Sequence, residues 1–373
     1  MLLAQVDTQL ANFSNYLIYS AMTVYTLAMF AQIFEWTFGA KGGVAVRSAQ
    51  QSTLAESVAD SAAAAKGVRK VTVTVAAQGG GTTTLTRTAL ADAGATTVTS
   101  GRGDDGPADG VGPAGSNEKA DLVGRMAVSL TVLGLLLHAA SVATRGLSVM
   151  RWPWGNMYEF SCAFALMMVG AYVILLATKK NVRWLGLPVT VVALLILGIA
   201  VSVLYTDSEQ LVPALHSYWL GIHVSTATIC GGAFFAAFVT TVAYLLKDRY
   251  EHRVAAGLTV RAANLMERLP ASGTLDKLSY RINAIIFPLW TFTIIAGAIW
   301  AEAAWGKYWE WDPKETWSFI TWVAYAAYLH ARATAGWRGR KAAYLALLAF
   351  ACWLFNFYGV NIFITGKHSY AGV

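Results

Sequence analysis

Long apolar stretches recur along the chain, and each is about as long as a lipid bilayer is thick. A hydrocarbon core of about 30 Å needs roughly 20 apolar residues in helical form. Lipid offers backbone groups no hydrogen-bond partner, so segments of this kind are helical. The pattern predicts an all-α integral membrane protein with about eight transmembrane helices, at residues 15–37, 123–144, 156–178, 184–205, 217–246, 283–302, 316–336 and 341–363.

Residues 40–122 interrupt this pattern. They are rich in Ala, Gly, Thr and Ser, with two β-like runs at 71–76 and 82–88 that would suit a small hairpin. This composition offers little apolar surface for a core. We therefore divide the chain into a first transmembrane helix (1–39), a low-complexity cytoplasmic insertion (40–122) and a membrane domain (123–373).

The distribution of charged residues predicts how the helices are oriented in the membrane. Only 13% of the residues are charged and 56% are hydrophobic, with a formal net charge of +7. The basic residues are scattered over short loops rather than gathered into a patch, which argues against nucleic-acid binding. By the positive-inside rule, the Lys- and Arg-poor loops at 145–155, 206–216 and 303–315 lie outside the cell, together with both termini. We expect the cytoplasmic membrane of a bacterium rather than a thylakoid.

The outer loop at 303–315 carries the densest chemical signal. Tryptophans, lysines and carboxylates are interleaved there and just beyond, at Trp305, Lys307, Trp309, Trp311, Lys314, Trp317 and Trp322. Single tryptophans at a membrane interface commonly form an aromatic belt. Five within eighteen residues favour a platform for a planar apolar ligand, since indole rings stack on a macrocycle and lysines pair with carboxylates at its edge.

Histidine positions sharpen this hypothesis. His223 is predicted near the outer end of the fifth helix and His368 just beyond the eighth, so both approach the Trp-rich loop. Two neutral imidazoles on opposite faces of a macrocycle are a common way to hold haem iron. His330 and His138 lie at membrane depth, where they fit either a second ligand pair or structural hydrogen bonds. His216 is expected to be solvated.

Asp312, Pro313 and Glu315 have a structural explanation of their own. Asp and Pro suit the cap and first turn of a helix, and Glu suits its positive end. We therefore interpret Asp312 mainly as a helix cap, with a role in the site left open. The cysteines, Cys162, Cys230 and Cys352, are isolated in apolar runs, so a thiol-redox function has little support.

The segment 305–322, ending at Tyr328-Leu-His330, resembles the tryptophan-rich WWD signature of haem-handling cytochrome c biogenesis proteins. Three further segments are similar to the system II branch of the CcsA or ResC type, whose actinobacterial members are often called CcsB: His216–His223, Gly359 to Tyr370 and Pro153 to Glu159. The likeness runs from about residue 125 to 370.

This resemblance implies a subunit of the holocytochrome c synthase, a cytochrome c haem lyase. The family's outer histidine pair matches His223 and His368, and its intramembrane histidine matches His330; His138 is a weaker match. The implied cargo is haem b, with iron held by histidines. The implied partners are a ResB- or CcsB-type membrane protein, an apocytochrome c bearing Cys-x-x-Cys-His and a thioredoxin-like thiol reductant.

Two other functions stay open at this point. A haem exporter would bind haem at the membrane sites without taking part in its attachment. A respiratory subunit would keep a bis-histidine haem as an electron carrier, although such histidine pairs usually face each other within the bilayer, and a Trp cluster has no role in electron transfer.

Overall fold

The computed structural model describes residues 6–39, 69–76, 82–89, 113, 117–178, 182–210, 217–258, 263–334 and 336–368. Long helices dominate this part of the chain. They are α1 (Thr8–Phe38), α2 (Glu118–Ser148), α3 (Met157–Ala177), α4 (Gly186–Ser202, preceded by a 3₁₀ turn at Arg183–Leu185), α5 (Tyr218–Ala255), the short α6 (Ala263–Met266), α7 (Ser272–Trp305), α8 (Pro313–Ala333) and α9 (Arg340–Leu354). A π-helical turn (Phe355–Gly359) and a last helical turn, α10 (Val360–Phe363), continue α9.

Each predicted transmembrane segment coincides with one of these helices, which confirms an all-α integral membrane protein. Seven helical spans in the described chain are long and apolar enough to cross a membrane. The remaining predicted segment, 316–336, corresponds to α8. This helix has the required 21 residues, but its charged first turn and its many Trp and Tyr side chains make it less apolar than the others.

The helices form two packed groups joined through α3. In the first group, α1 packs along α2 and α4; in the second, α5 packs along α7 and α9, and α8 packs against α7 and α9. The helix α3 contacts α2 and α4 on one side and α5 on the other. The second group therefore brings together the N-terminal ends of α5 and α8 and the C-terminal ends of α7 and α9.

Glycines on α5 allow the close approach that membrane helices use in place of a hydrophobic driving force. A Cβ on Gly231 would lie 2.4 Å from the indole of Trp353, and one on Gly232 would lie 2.6 Å from the backbone of Met167. Beside them, the rings of Phe234 and Tyr325 stack with centroids 4.0 Å apart. The aromatic core of the second group therefore depends on backbone contacts at α5.

Buried ion pairs connect the helices at both ends of the first group. At one end, Glu159 pairs with Arg145 at 3.1 Å and with Arg151 at 2.9 Å. At the opposite end, Arg183 pairs with Glu35 at 2.5 Å, and the same guanidinium reaches Asp121 on α2 at 2.7 Å. Charges inside a membrane protein are tolerated when they are paired in this way.

The described part of the insertion includes an antiparallel hairpin. Strands β1 (Arg69–Ala76) and β2 (Thr82–Ala89) pair in a register that places Val73 opposite Leu85. The two strands coincide with the β-like runs of the sequence. Of the rest of the predicted low-complexity segment, the structure describes Pro113 and residues 117–122, where α2 begins, so the helix starts earlier than predicted. His216 lies outside the described residues.

Candidate functional site

A cleft opens among α5, α7, α8 and the end of α9. Its lining is mainly aromatic with a few polar groups: His223, Ala227, Trp290, Thr293, Ile294, Gly297, Ala298, Trp300, Ala301, Trp305, Tyr308, Trp309, Lys314, Glu315, Ser318, Trp353, Asn356, Phe357 and His368. The two histidines predicted to converge, from helices far apart in sequence, therefore lie in one cleft.

His223 lies in the second turn of α5, against α7. Its Nδ1 is 2.9 Å from the backbone carbonyl oxygen of Thr293. A carbonyl oxygen can only accept, so Nδ1 carries the hydrogen and the lone pair is on Nε2. Gly297 makes this position accessible, because a Cβ there would come within 2.6 Å of the imidazole.

His368 is positioned by Asp312, 56 residues earlier in the chain. Its Nδ1 lies 3.1 Å from Oδ2 of Asp312. Oδ1 of the same carboxylate accepts the backbone N–H of Lys367 at 2.7 Å. Asp312 also caps α8, where it accepts from the N–H of Lys314 and forms a capping box with Glu315. One side chain thus fixes both the start of α8 and the segment that carries His368.

Electrostatics support an ionised Asp312 beside a neutral imidazole. Burial alone would raise the pKa of Asp312, but hydrogen bonds from His368, Lys367 and Lys314 outweigh it and lower the pKa to about 2. Burial lowers the pKa of His368 below its ordinary value, and the bond to Asp312 opposes this only in part. A neutral imidazole is the form that binds a metal.

Lys314 is the buried cation of the cleft. Its Nζ donates to the carbonyl oxygen of Asn356 at 2.7 Å, in the π-helical turn that continues α9. Burial lowers the pKa of Lys314 to about 7, although the Asp312 carboxylate opposes the shift. A π-turn at such a position is common at functional sites. An anionic ligand group would stabilise the charged form of this lysine.

Two tryptophans connect the histidines. The Trp300 ring is stacked near His223, with centroids 5.9 Å apart, and is edge-on to His368 at 5.8 Å. The centroids of the two imidazoles are therefore at most 11.7 Å apart. Trp305 lies 5.2 Å from His368 and 4.9 Å from Trp300. Just after it, Gly306 ends α7 in the left-handed conformation at φ 75°, which glycine adopts without strain.

These features fit a porphyrin better than a bare metal ion. Within the described residues, no group of three or more His, Cys, Asp and Glu side chains could hold a metal ion. A pair of imidazoles is enough for haem iron, because the macrocycle supplies the other ligands. The indole rings match a planar apolar ligand, and Lys314 matches a carboxylate on its edge.

Several residues predicted for the site lie elsewhere. Trp317 packs on Phe355 with centroids 4.3 Å apart, and the indole N–H of Trp322 donates to Thr291 at 2.9 Å. Trp311 is 63% exposed, with a backbone φ of 60°. The platform of five tryptophans expected from composition is thus reduced to Trp305 and Trp309 in the cleft lining, because α8 directs its later aromatic rings into contacts between helices.

The two lysines predicted for the site, Lys307 and Lys314, also differ in position. Lys307 is not in the cleft lining; it pairs with Glu310 in the loop. Lys367 also pairs with Glu310. Of the two lysines predicted for the site, only Lys314 lines the cleft.

The two intramembrane histidines are apart from the cleft and from each other. The side chain of His330, in the last turn of α8, is exposed. His138 is fully buried in α2, edge-on to Tyr25, and among the described residues neither of its ring nitrogens has a hydrogen-bond partner. The principal neighbours of α2 are α1 and α3, whereas those of α8 are α7 and α9. The structure therefore does not bring these histidines together as a pair.

The tryptophans of the surrounding helices that line the cleft, Trp290, Trp300 and Trp353, were not predicted from the sequence. They are concealed in apolar runs, where a tryptophan is read as part of a spanning segment. A signal was present nonetheless. Trp290, Thr293, Gly297 and Trp300 follow the spacing of one helical face, and this face carries both indoles, the carbonyl that contacts His223 and the glycine that admits it.

Comparison with known proteins identifies the family. The family model described as cytochrome C assembly protein matches residues 154–368, which include both cleft histidines and the Trp-rich loop. The chain belongs to this family, in its CcsA-type, system II branch. It is a multi-pass membrane protein with a role in cytochrome c maturation.

Curated relatives extend the match over most of their own length. The cytochrome c biogenesis proteins CcsA of Guillardia theta and Synechococcus elongatus are each 37% identical, over 64% and 63% of this chain and 83% and 84% of theirs. The CcsA protein of Gloeobacter violaceus is 32% identical over 69% of this chain and 89% of its own.

Proposed function

We propose that this protein delivers haem to apocytochrome c and takes part in its covalent attachment on the outer face of the membrane, as a subunit of the system II holocytochrome c synthase. The observation that supports this most strongly is the convergence of His223 and His368 on one Trp-lined cleft that also contains a buried lysine. The proposed cargo is haem b, ligated through Nε2 of each histidine.

Each part of the cleft has a role in this proposal. The hydrogen bonds to the Thr293 carbonyl and the Asp312 carboxylate hold the two imidazoles in the tautomer that presents Nε2. Lys314 pairs with a haem propionate, and Trp300 and Trp305 contact the macrocycle. The chain contributes mainly by positioning two reactants, haem and apocytochrome.

Attachment itself needs no nucleophile from this chain. Each cysteine thiol of the apocytochrome adds across a haem vinyl group, so the S–H bond and the vinyl π bond are replaced by a C–S and a C–H bond. The addition is balanced without an oxidant, provided the thiols are reduced. The cysteines of this chain are isolated from one another, so they do not suit the reduction of the apocytochrome thiols. A separate thioredoxin-like reductant therefore remains part of the proposal.

The exposed position of His330 indicates how a membrane partner would take part. We propose that His330 receives haem within the bilayer together with a ligand from a ResB- or CcsB-type partner. His138 does not suit the role of second ligand, since it is fully buried in the other helix group.

The test is an absorption spectrum of the purified protein and of two variants, His223→Ala and His368→Ala. His223→Ala and His368→Ala should each lose low-spin haem, with recovery on adding imidazole, and co-purification with an apocytochrome should depend on bound haem. Unchanged spectra in both variants would refute the ligand assignment. Binding of haem without any association with apocytochrome would favour an exporter, and reversible redox cycling with quinol without haem transfer would favour an electron carrier.

A further inference from the structure

The two cleft histidines have different hydrogen-bond partners. His368 donates to a carboxylate, Asp312, at 3.1 Å, whereas His223 donates to a backbone carbonyl, that of Thr293, at 2.9 Å. The two distances are similar, so the difference lies in the charge of the acceptor. A charge-assisted hydrogen bond is roughly twice as strong as a neutral one.

The Asp312 carboxylate is itself held firmly. It accepts from the backbone N–H groups of Lys314 and Lys367 as well as from His368. Gly366 allows this approach, because a Cβ there would lie 2.8 Å from Oδ1 of Asp312. The carboxylate, the helix start and the segment bearing His368 therefore form one unit.

The partner of His223 is weaker for a second reason. Thr293 lies inside α7, where each carbonyl oxygen also accepts the amide four residues further along. The imidazole therefore shares an acceptor that is already used by the helix. Its position depends mainly on the space left by Gly297 and on the stacked ring of Trp300.

A carboxylate behind a ligating histidine raises the basicity of that ligand and fixes its orientation. We infer that Asp312 is a positioning residue that makes His368 the retained iron ligand, and that His223 is the ligand exchanged for the histidine of the incoming apocytochrome. This inference rests on the proposed function and adds an order of events to it. The imidazole of the cytochrome histidine would take the place of His223, one neutral ligand for another, with no change in charge.

The first experiment compares His223→Ala with His368→Ala in the full-length chain, purified from haem-supplied cells. His223→Ala should retain several-fold more haem than His368→Ala, in a five-coordinate form that takes up added imidazole. Equal retention, or better retention by His368→Ala, would overturn the inference. A protein whose haem is unaffected by either change would instead contradict the proposed function.

The second experiment measures the iron–histidine stretching frequency of the ferrous five-coordinate His223→Ala protein by resonance Raman. Adding Asp312→Asn should lower this frequency, because the ligand loses its charged partner, while the asparagine carbonyl can still accept backbone N–H groups at the start of α8. Glu310→Gln is the matched control, since it removes a neighbouring carboxylate that pairs with lysines. An unchanged frequency in Asp312→Asn, or an equal shift in the control, would overturn the role of Asp312.

Discussion

Gly297 and His223 are in contact across the interface of α7 and α5, with no room for a methyl group between them. A Cβ on residue 297 would lie 2.6 Å from Cε1 of the imidazole and 2.8 Å from Nδ1. We therefore predict that Gly297→Ala displaces His223 and breaks its bond to Thr293. The low-spin haem spectrum should be lost or converted to high spin, at a stability cost of about 1–3 kcal/mol for overpacking.

Gly198→Ala is the control for this change. It adds the same methyl group to another apolar helix, but nothing lies within 4 Å of the new Cβ. The control should keep the wild-type spectrum and melting temperature. An unaltered haem spectrum in Gly297→Ala would show that His223 does not depend on this contact.

Lys314 and Lys307 test the assignment of the propionate anchor. Lys314 is enclosed in the cleft and bonded to Asn356, whereas Lys307 is exposed beside Glu310. Lys314→Met should therefore reduce the haem-to-protein ratio several-fold, and Lys307→Met should leave it unchanged. Absorbance at the Soret band, measured per mole of protein after equal washing, separates these outcomes. Equal losses in the two variants would indicate a general effect of positive charge.

Much of the fold follows from the sequence because it depends on local physical constraints. The length of each apolar run predicted the helices, and the distribution of basic residues predicted their alternation across the membrane. For α1 and α2 the N–H of Asp7, before α1, donates to the carbonyl oxygen of Ser148, at the end of α2, so the start of one helix lies beside the end of the other.

The geometry of the site could be predicted from the sequence only in part. Convergence of His223 and His368 was expected from topology and from resemblance to a family. The contact of His368 with Asp312 was not, because it requires the chain after α9 to turn back over the start of α8. Composition also could not distinguish Trp305, which faces the cleft, from Trp317 and Trp322, which pack between helices. The direction of a side chain depends on helix rotation, which is set by packing.

Trp305 and Trp311 should therefore respond differently to truncation. Trp305 contacts Trp300 and His368, whereas Trp311 is mostly exposed and contacts Trp309 and Phe319. Trp305→Ala should weaken haem retention, because an aromatic contact of the macrocycle and of its ligand is removed. Trp311→Ala should retain haem at the wild-type level. The comparison is made by haem titration in detergent, and a larger loss in Trp311→Ala would contradict the placement of the cleft.

His138→Leu tests whether the buried histidine of α2 has a function in haem binding. Among the described residues its ring nitrogens are without hydrogen-bond partners, and leaving a polar group unsatisfied costs about 1–3 kcal/mol. Leucine has a similar volume and carries no such penalty, so the variant should be as stable as the wild type or more stable, with full haem content. A fall in bound haem, while the melting temperature is maintained, would make His138 a ligand after all.

Glu159 is the residue whose loss should damage the fold most without touching the cleft. Its carboxylate accepts from Nε of Arg145 at 3.1 Å, from Nη1 of Arg151 at 2.9 Å and from the N–H of Gly155 at 2.7 Å. Removing one member of a buried ion pair leaves an uncompensated charge and costs about 3–5 kcal/mol. Glu159→Gln should therefore lower the melting temperature and the amount of protein that accumulates, while Glu310→Gln, at a more exposed pair, should change neither. Haem remaining in the folded fraction of Glu159→Gln should keep a normal low-spin spectrum, because the arginine cluster joins α2 and α3 and not the helices that hold His223 and His368.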